Sequence, residues 1–197
     1  MLEKKKILRK IIKVRISALS AEEKAKREKL LLDNLFSMPE FLAAKTVMLF
    51  ANLPDEIGTF SLIDKCIAMG KKVFLPVING DEMTACEFTG EYRVGRYEIK
   101  EPVVKQLGVR SEELGVNGLI TESRDNACIV RDFDFILVPG VGFSPNGYRL
   151  GRGKGYYDKF LSKYSNLFTV GVCFREQFYL DIPTEPHDIP MQKVIVV

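Results

Sequence analysis

The sequence predicts an α/β fold: a single three-layer domain, residues 1–197, with a mostly parallel sheet flanked by helices. Two observations predict it. Short apolar runs alternate along the chain with stretches of helical periodicity, the pattern of parallel strands joined by crossover helices. A length of 197 residues without an internal repeat or linker fits one domain with a real core.

Leu2 to Leu19 reads as a helix, with Leu8, Ile11, Ile12, Ile16 and Leu19 at near-helical spacing. Ser20 followed by Glu23 is a capping-box signature for a second helix. That helix is expected to run to Phe36, with Ala25, Leu31, Leu32, Leu35 and Phe36 inward and Lys24, Arg27 and Glu28 in water. Met38-Pro39 ends it, because the residue before a proline disfavours the helical region. Thr46 to Ala51 reads as a buried strand, Asn52 to Gly58 as a polar turn and Thr59 to Met69 as a helix stopped by Gly70. Val73 to Val77 is the next strand, where Pro76 suggests a strand end or an edge, and Met83 to Phe88 is a third. Gly90 to Ala127 reads as loops, with one helical turn at Ser111 to Leu114. Asp134 to Val138 is a strong strand leading into a glycine-rich loop. Tyr156 to Tyr164 follows as helix, then Phe168 to Phe174 and Val194 to Val197 as strands.

Composition narrows the function. No apolar run approaches the roughly 20 residues that span a bilayer, and the basic N-terminus lacks the apolar centre of a secretory signal. A cytoplasmic protein without membrane partners is expected. Cys66, Cys86, Cys128 and Cys173 form no CxxC pair, which argues against a zinc module; they read as four small buried hydrophobes in a reducing compartment, with a long-range disulfide the open alternative. With His187 as the one histidine, a multi-histidine metal site is impossible. Net charge is +3, too mild to argue for nucleic acid, but basic residues concentrate in the first thirty positions and at Arg149 to Lys154.

The segment Pro139 to Asp158, PGVGFSPNGYRLGRGKGYYD, carries the chemistry. Its glycines let backbone approach a ligand, successive amides can cradle oxyanions, and the following helix offers its positive end. Arg149 and Arg152 add bidentate contacts to phosphate or carboxylate, and Lys154 adds a point charge. The segment lies between a strand and a helix, where open α/β sheets bind ligands. Gly153-Lys154 is followed by Gly155, not by the hydroxyl of a Walker loop, and Gly151, Gly153 and Gly155 do not give a dinucleotide fingerprint. A magnesium ion must therefore find carboxylates elsewhere. Asp158, one turn into the helix, and Asp188, in Pro186-His187-Asp188, suit an ion held by one or two carboxylates plus phosphates. Taken alone, each reads equally well as a helix-terminal or loop acid. Glu56 follows the first strand, where turn chemistry is an equal reading, and Lys5 and Arg9 share a helix face whose default reading is a solvated one.

LVPGVGFSPNGYRLGRGKGYYDKFL, Leu137 to Leu161, resembles the signature of the 5-formyltetrahydrofolate cyclo-ligases, also called 5,10-methenyltetrahydrofolate synthetases. The resemblance extends to KKKILRKIIKVRISALSAEE at the N-terminus, Phe50 to Ile57, Phe174 to Gln177 and IPTEPHDIPM. It implies a fold similar to the sugar-phosphate isomerase and coenzyme A transferase group, with ATP as co-substrate, Mg2+ as cofactor and a reduced folate as substrate. By matched position Lys5, Arg9, Arg149 and the loop Gly151, Arg152, Gly153, Lys154 and Gly155 would meet ATP. Ala51, Glu56 and the stretch from Arg152 through Tyr156 would meet the folate, and Asp158 and Asp188 would hold magnesium. Arg149, Arg152 and Lys154 would assist phosphoryl transfer. The chain departs from the family in lacking tryptophan, around Arg96 to Pro102, and in carrying Arg175 where lysine is common. A monomer that binds no nucleic acid is expected. Two alternatives stand beside this reading: an ATP-independent phosphosugar isomerase or acyl-coenzyme A enzyme, and a nucleic-acid-binding module using the basic N-terminal helices.

Overall fold

A computed structural model describes residues 2–94, 100–103, 133–164 and 167–197. In chain order the elements begin with helices α1 (Leu2–Ser17), α2 (Ala21–Phe36) and α3 (Pro39–Ala43), followed by strand β1 (Thr46–Met48) and helix α4 (Phe60–Ala68). Strands β2 (Lys72–Asn79), β3 (Glu82–Glu87), β4 (Tyr92–Val94), β5 (Lys100–Pro102), β6 (Phe135–Pro139), β7 (Gly142–Phe143) and β8 (Arg149–Leu150) come next. Helix α5 (Tyr156–Leu161), strand β9 (Phe168–Cys173), a 3-10 turn (Arg175–Gln177) and strand β10 (Lys193–Val196) complete the chain.

Six strands form one sheet in the order β10-β9-β6-β1-β2-β3. All neighbours are parallel except β2 and β3, which form a hairpin closed at Gly80 and Asp81. Because side chains alternate across a strand, the two faces bury different residues. Val47, Val73, Leu75, Phe135, Leu137, Val170 and Val172 pack with α1 to α4 through residues such as Ile12, Leu31, Phe41 and Leu62. Met48, Phe74, Ala85, Ile136, Val138 and Cys173 pack with Phe160 and Leu161 of α5. The result is the expected three-layer arrangement. Asp134 fastens the middle of the sheet, accepting the backbone N–H groups of Lys45 and Thr46 at 2.8 Å each.

Several expectations need correction. The buried stripe of α1 is Lys5, Ile12 and Ile16, while Ile11 is exposed. In α2 the capping box is present and Leu31, Leu32 and Leu35 are buried, but Ala25 is exposed. Arg27 is not in water: it bridges Glu176 at 3.1 Å and donates to the Val197 carbonyl at 2.9 Å. Glu28 receives the Ser61 hydroxyl and Lys24 donates to the Pro54 carbonyl, so the polar half of α2 fastens three other segments. Pro39 ends α2 but also starts α3, where its missing N–H is harmless. Pro76 lies inside β2, opposite Ala85, beyond the point where pairing with β1 stops at Phe74. Among the described residues one side of β2 has no strand partner there, which is why proline fits. Residues 92–94 and 100–102, expected to be loop, form an antiparallel hairpin. Cys66 and Cys173 are buried free thiols, but Cys86 takes part in a disulfide, against the expectation for all four. The helical turn expected at Ser111 to Leu114, and Cys128, lie outside the described residues.

Candidate active site

The strand order reverses between β1 and β6: from β1 the chain builds outward through β2 on one side, then returns to place β6 and β9 on the other. The carboxyl ends of strands at such a switch point open a crevice. A cavity of about 600 Å³ lies there, walled by Phe50 and Ala51 after β1, Pro76 and Ile78 of β2, and Pro139 and Gly140 at the end of β6. Among the described residues, every side chain and glycine predicted for the site lines this cavity, although they come from four separated parts of the chain.

The glycine-rich segment is not a simple loop. β7 and β8 form a hairpin, closed by hydrogen bonds between Ser144 and Tyr148 and between Gly147 and Ser144. The hairpin turns Arg149 inward, where it is only 8% exposed. Its guanidinium donates to Asp158 Oδ2 at 2.8 Å and lies over the Tyr157 ring at 5.4 Å. Gly155 then takes a left-handed conformation, φ +67, immediately before α5, a turn that favours glycine. Helix α5 has six residues and ends at Leu161, short of the expected Tyr164. Its dipole is correspondingly small, so the site's positive field comes chiefly from side chains.

From the N-terminal side, α1 contributes Lys5 and Arg9, one turn apart on its inward face. The solvated-face reading fails for both. Lys5 is 7% exposed and its ammonium lies 2.9 Å from Asp188 and 3.1 Å from Glu185. Burial opposes its charge, but the hydrogen bonds to these two carboxylates outweigh it and hold the Lys5 pKa above its ordinary value. Burial also works against Asp188, yet Lys5 and the backbone N–H of Glu185 hold its carboxyl below the usual range. Arg9 donates from Nε to the Gly151 carbonyl at 2.8 Å, tying α1 to the glycine segment, and burial draws its guanidinium pKa down.

The turn after β1 carries Glu56, set by a hydrogen bond from the Leu53 N–H at 2.9 Å and by Thr59, which bonds both Phe50 and Asn52. Arg152 reaches across the cavity mouth to Asp55 at 2.7 Å and Glu56 at 3.0 Å. Burial raises the Glu56 pKa, and the charge of Arg152 offsets this only in part. Arg9 and Lys154 face the same space with no carboxylate partner among the described residues. Tyr156 closes the wall, its hydroxyl donating to the Gly80 carbonyl at 3.2 Å.

This geometry can be set beside known proteins. The model of the 5-formyltetrahydrofolate cyclo-ligase family matches residues 1–197. The chain belongs to this family. Among cyclo-ligase relatives, the mouse 5-formyltetrahydrofolate cyclo-ligase is 30% identical over 201 residues, covering 97% of this chain and 92% of its own. The Escherichia coli K12 cyclo-ligase is 27% identical over 187 residues, covering 94% and 96%. The NMR structure of Aquifex aeolicus 5,10-methenyltetrahydrofolate synthetase aligns with a TM-score of 0.77 at 31% identity, over 98% of this chain and 89% of that one. The Mycoplasma pneumoniae synthetase, 21% identical over 97% of both chains, shares the fold with a TM-score of 0.70. As a cyclo-ligase family member the chain is an ATP-dependent ligase. Neither alternative reading finds support. Among the described residues no helix is long and apolar enough to cross a membrane.

The cyclo-ligase site also contains residues that sequence reasoning passed over. Glu185 shares Lys5 with Asp188, and ligand atoms of Glu185, His187 and Asp188 lie within 4.8 Å of one another. The signal was present in Thr184-Glu185-Pro186-His187-Asp188, two acids in one short segment. Asp55 holds Arg152, and Tyr157 packs beside Arg149; both adjoin residues the sequence singled out. His187 is exposed and leans over the two acids at 3.7 and 3.8 Å. Asp158 stands apart from that group, but its Oδ1 receives a long hydrogen bond, 3.5 Å, from the Ile189 N–H. Asp158 and Asp188 therefore reach one cavity from adjoining segments. Their oxygen donors suit a hard cation such as magnesium, whereas one imidazole and, among the described residues, no thiolate in the group do not suit zinc.

Proposed function

We propose that this cavity closes 5-formyltetrahydrofolate to 5,10-methenyltetrahydrofolate, converting ATP to ADP and phosphate. The observation that carries the reading is the charge balance of the cavity. Among the described residues Lys5, Arg149 and Arg152 are matched by carboxylates, whereas Arg9 and Lys154 are left over beside a glycine-rich backbone. Uncompensated cations in a partly closed space favour a polyanion such as a nucleoside triphosphate.

A formamide carbonyl is a weak electrophile and its oxygen a poor leaving group. Transfer of the γ-phosphoryl group from ATP to the formyl oxygen breaks the bond to ADP and forms an imino-phosphate. The neighbouring folate N–H nitrogen then attacks the activated carbon and gives up its proton to solvent, the ring closes, and phosphate leaves with the former formyl oxygen. Phosphoryl transfer demands in-line positioning and neutralisation of charge on the moving oxygens. Arg149, Arg152 and Lys154 supply that charge. Lys5 and Arg9, with Gly151, Gly153 and Gly155, hold the nucleotide. Glu56 and Ala51 on the opposite wall, with Tyr156 and the shared loop, hold the folate. Asp158 and Asp188 would hold Mg2+, which neutralises phosphate oxygens when bound. The nucleophile belongs to the substrate, so no serine, cysteine or histidine triad is required. The reading assigns a cytoplasmic monomer with small-molecule partners.

The test is the near-ultraviolet absorbance of the methenyl product. A rise that requires 5-formyltetrahydrofolate, ATP and Mg2+ together, and is lost in Asp158→Ala, is expected. A flat trace from folded wild-type protein would reject the reaction.

A further inference from the structure

Tyr157 carries an unused hydrogen-bond donor. It lines the cavity from the first turn of α5, with the Arg149 guanidinium over its ring. Its hydroxyl is sealed from solvent and has no hydrogen-bond partner among the described residues, and the same holds for Nε of Arg149 beside it. The adjacent Tyr156 differs: its hydroxyl is spent on the Gly80 carbonyl. A buried hydroxyl without a partner is destabilising, and phenylalanine would fill the same volume without that cost. The chain keeps this buried hydroxyl on a residue that lines the cavity, which is what a group reserved for a ligand looks like.

The ligand atom follows from the neighbours. A tyrosine phenol is protonated at neutral pH and can donate. Glu56 lines the same space, and an ionised carboxylate accepts N–H donors. The pyrimidine edge of a pterin presents an amino group and a ring N–H directly beside a carbonyl oxygen. A pterin that lays its N–H edge on Glu56 needs a neutral donor next to the carboxylate to receive that oxygen. We infer that Tyr157 is a substrate-binding residue whose hydroxyl donates to the pterin carbonyl of the folate, working as a pair with Glu56. This rests on the folate reading proposed above.

The experiment compares wild-type and Tyr157→Phe full-length protein by calorimetric binding of 5-formyltetrahydrofolate without ATP, steady-state kinetics and thermal melting. The variant is expected to melt at or above the wild-type temperature, because it loses an unsatisfied group. Its folate affinity and kcat/KM for the folate should nevertheless fall about 10- to 100-fold, with KM for ATP unchanged. In a Glu56→Gln background the loss should be much smaller, since the two act on one edge of the ligand. Unaltered folate binding and kinetics in Tyr157→Phe would overturn the inference while leaving the reaction intact. An equal loss for ATP would also overturn it and assign the phenol to Arg149 instead. If wild-type protein neither binds nor converts the folate, the parent reading falls first and takes this one with it.

Discussion

Replacing Lys5 with methionine tests the ionic clasp that holds α1 against the site. Methionine keeps the aliphatic stem, so the change isolates the ammonium. Two carboxylates, Asp188 at 2.9 Å and Glu185 at 3.1 Å, would lose their shared partner. Exposed ion pairs are worth about 0–1 kcal/mol, and stranding a fully buried charge costs about 3–5 kcal/mol. Lys5 is 7% exposed, whereas the Glu185 side chain is 30% exposed and partly hydrated. An intermediate loss of about 2–3 kcal/mol follows, or about 4–12 °C in Tm for a chain of this size. The sign with pH is defined. The Asp188 pKa is depressed, so its contribution is present above the unfolded value near 3.9 and is lost as pH falls through the lower folded value. The Lys5 pKa is raised, so its contribution is complete below about 10.4 and is lost as pH climbs through the folded value. Melting curves should thus show a constant deficit between about pH 6 and 9 that shrinks in acid below the ordinary aspartate range. Removing the ammonium also leaves Glu185 and Asp188 free to share a divalent ion, so millimolar Mg2+ should raise the variant's Tm more than that of wild type. A Tm within 1 °C of wild type, or a deficit that persists unchanged into acid, would refute the reasoning.

Gly147→Ala should be far more damaging than Gly70→Ala, although both positions have positive φ, +81 and +76. A Cβ at Gly147 would collide with the Met191 carbonyl oxygen, whereas no atom of the described residues lies within 4 Å of one at Gly70. Chemical denaturation should give about 1 kcal/mol for Gly70→Ala and about 3 kcal/mol or more for Gly147→Ala. The latter variant should also lose turnover, because Met191 follows closely on Asp188. Arg152→Gln removes the cation that restrains Glu56. The acid limb of folate binding, measured without ATP, should move to higher pH, because burial and Asp55 then raise the Glu56 pKa without opposition from Arg152. An unmoved limb would mean that Glu56 does not control folate binding.

Local patterns were legible wherever one short segment contains both halves of an interaction. The Ser20–Glu23 capping box spans four residues and is present as read. The core strands announced themselves because parallel strands covered on both faces must be continuously apolar, as Phe135 to Val138 are. GRGKGYYD was legible for the same reason: its glycines and cations are neighbours in sequence, and its likeness to a family needs no tertiary contact.

What the tertiary structure decided was which local features face one another. Lys5 and Arg9 resembled other lysines and arginines of a basic helix, and only contacts with residues more than 140 positions away made them part of the cavity. Arg27 and Glu28 looked solvated because a helix pattern cannot foresee the Val197 carbonyl or the Ser61 hydroxyl as partners. Pro76 suggested an edge, and the structure supplied the reason it fits inside a strand: β1 stops pairing two residues earlier. Tyr157 is one of two adjacent tyrosines in the sequence, yet one hydroxyl is bonded and the other sealed and, among the described residues, unpaired. Residue type and spacing determined the elements and the chemistry available to the site. Burial and charge pairing arise only when distant segments meet, so folding alone decided which of those groups are matched and which remain open to a ligand.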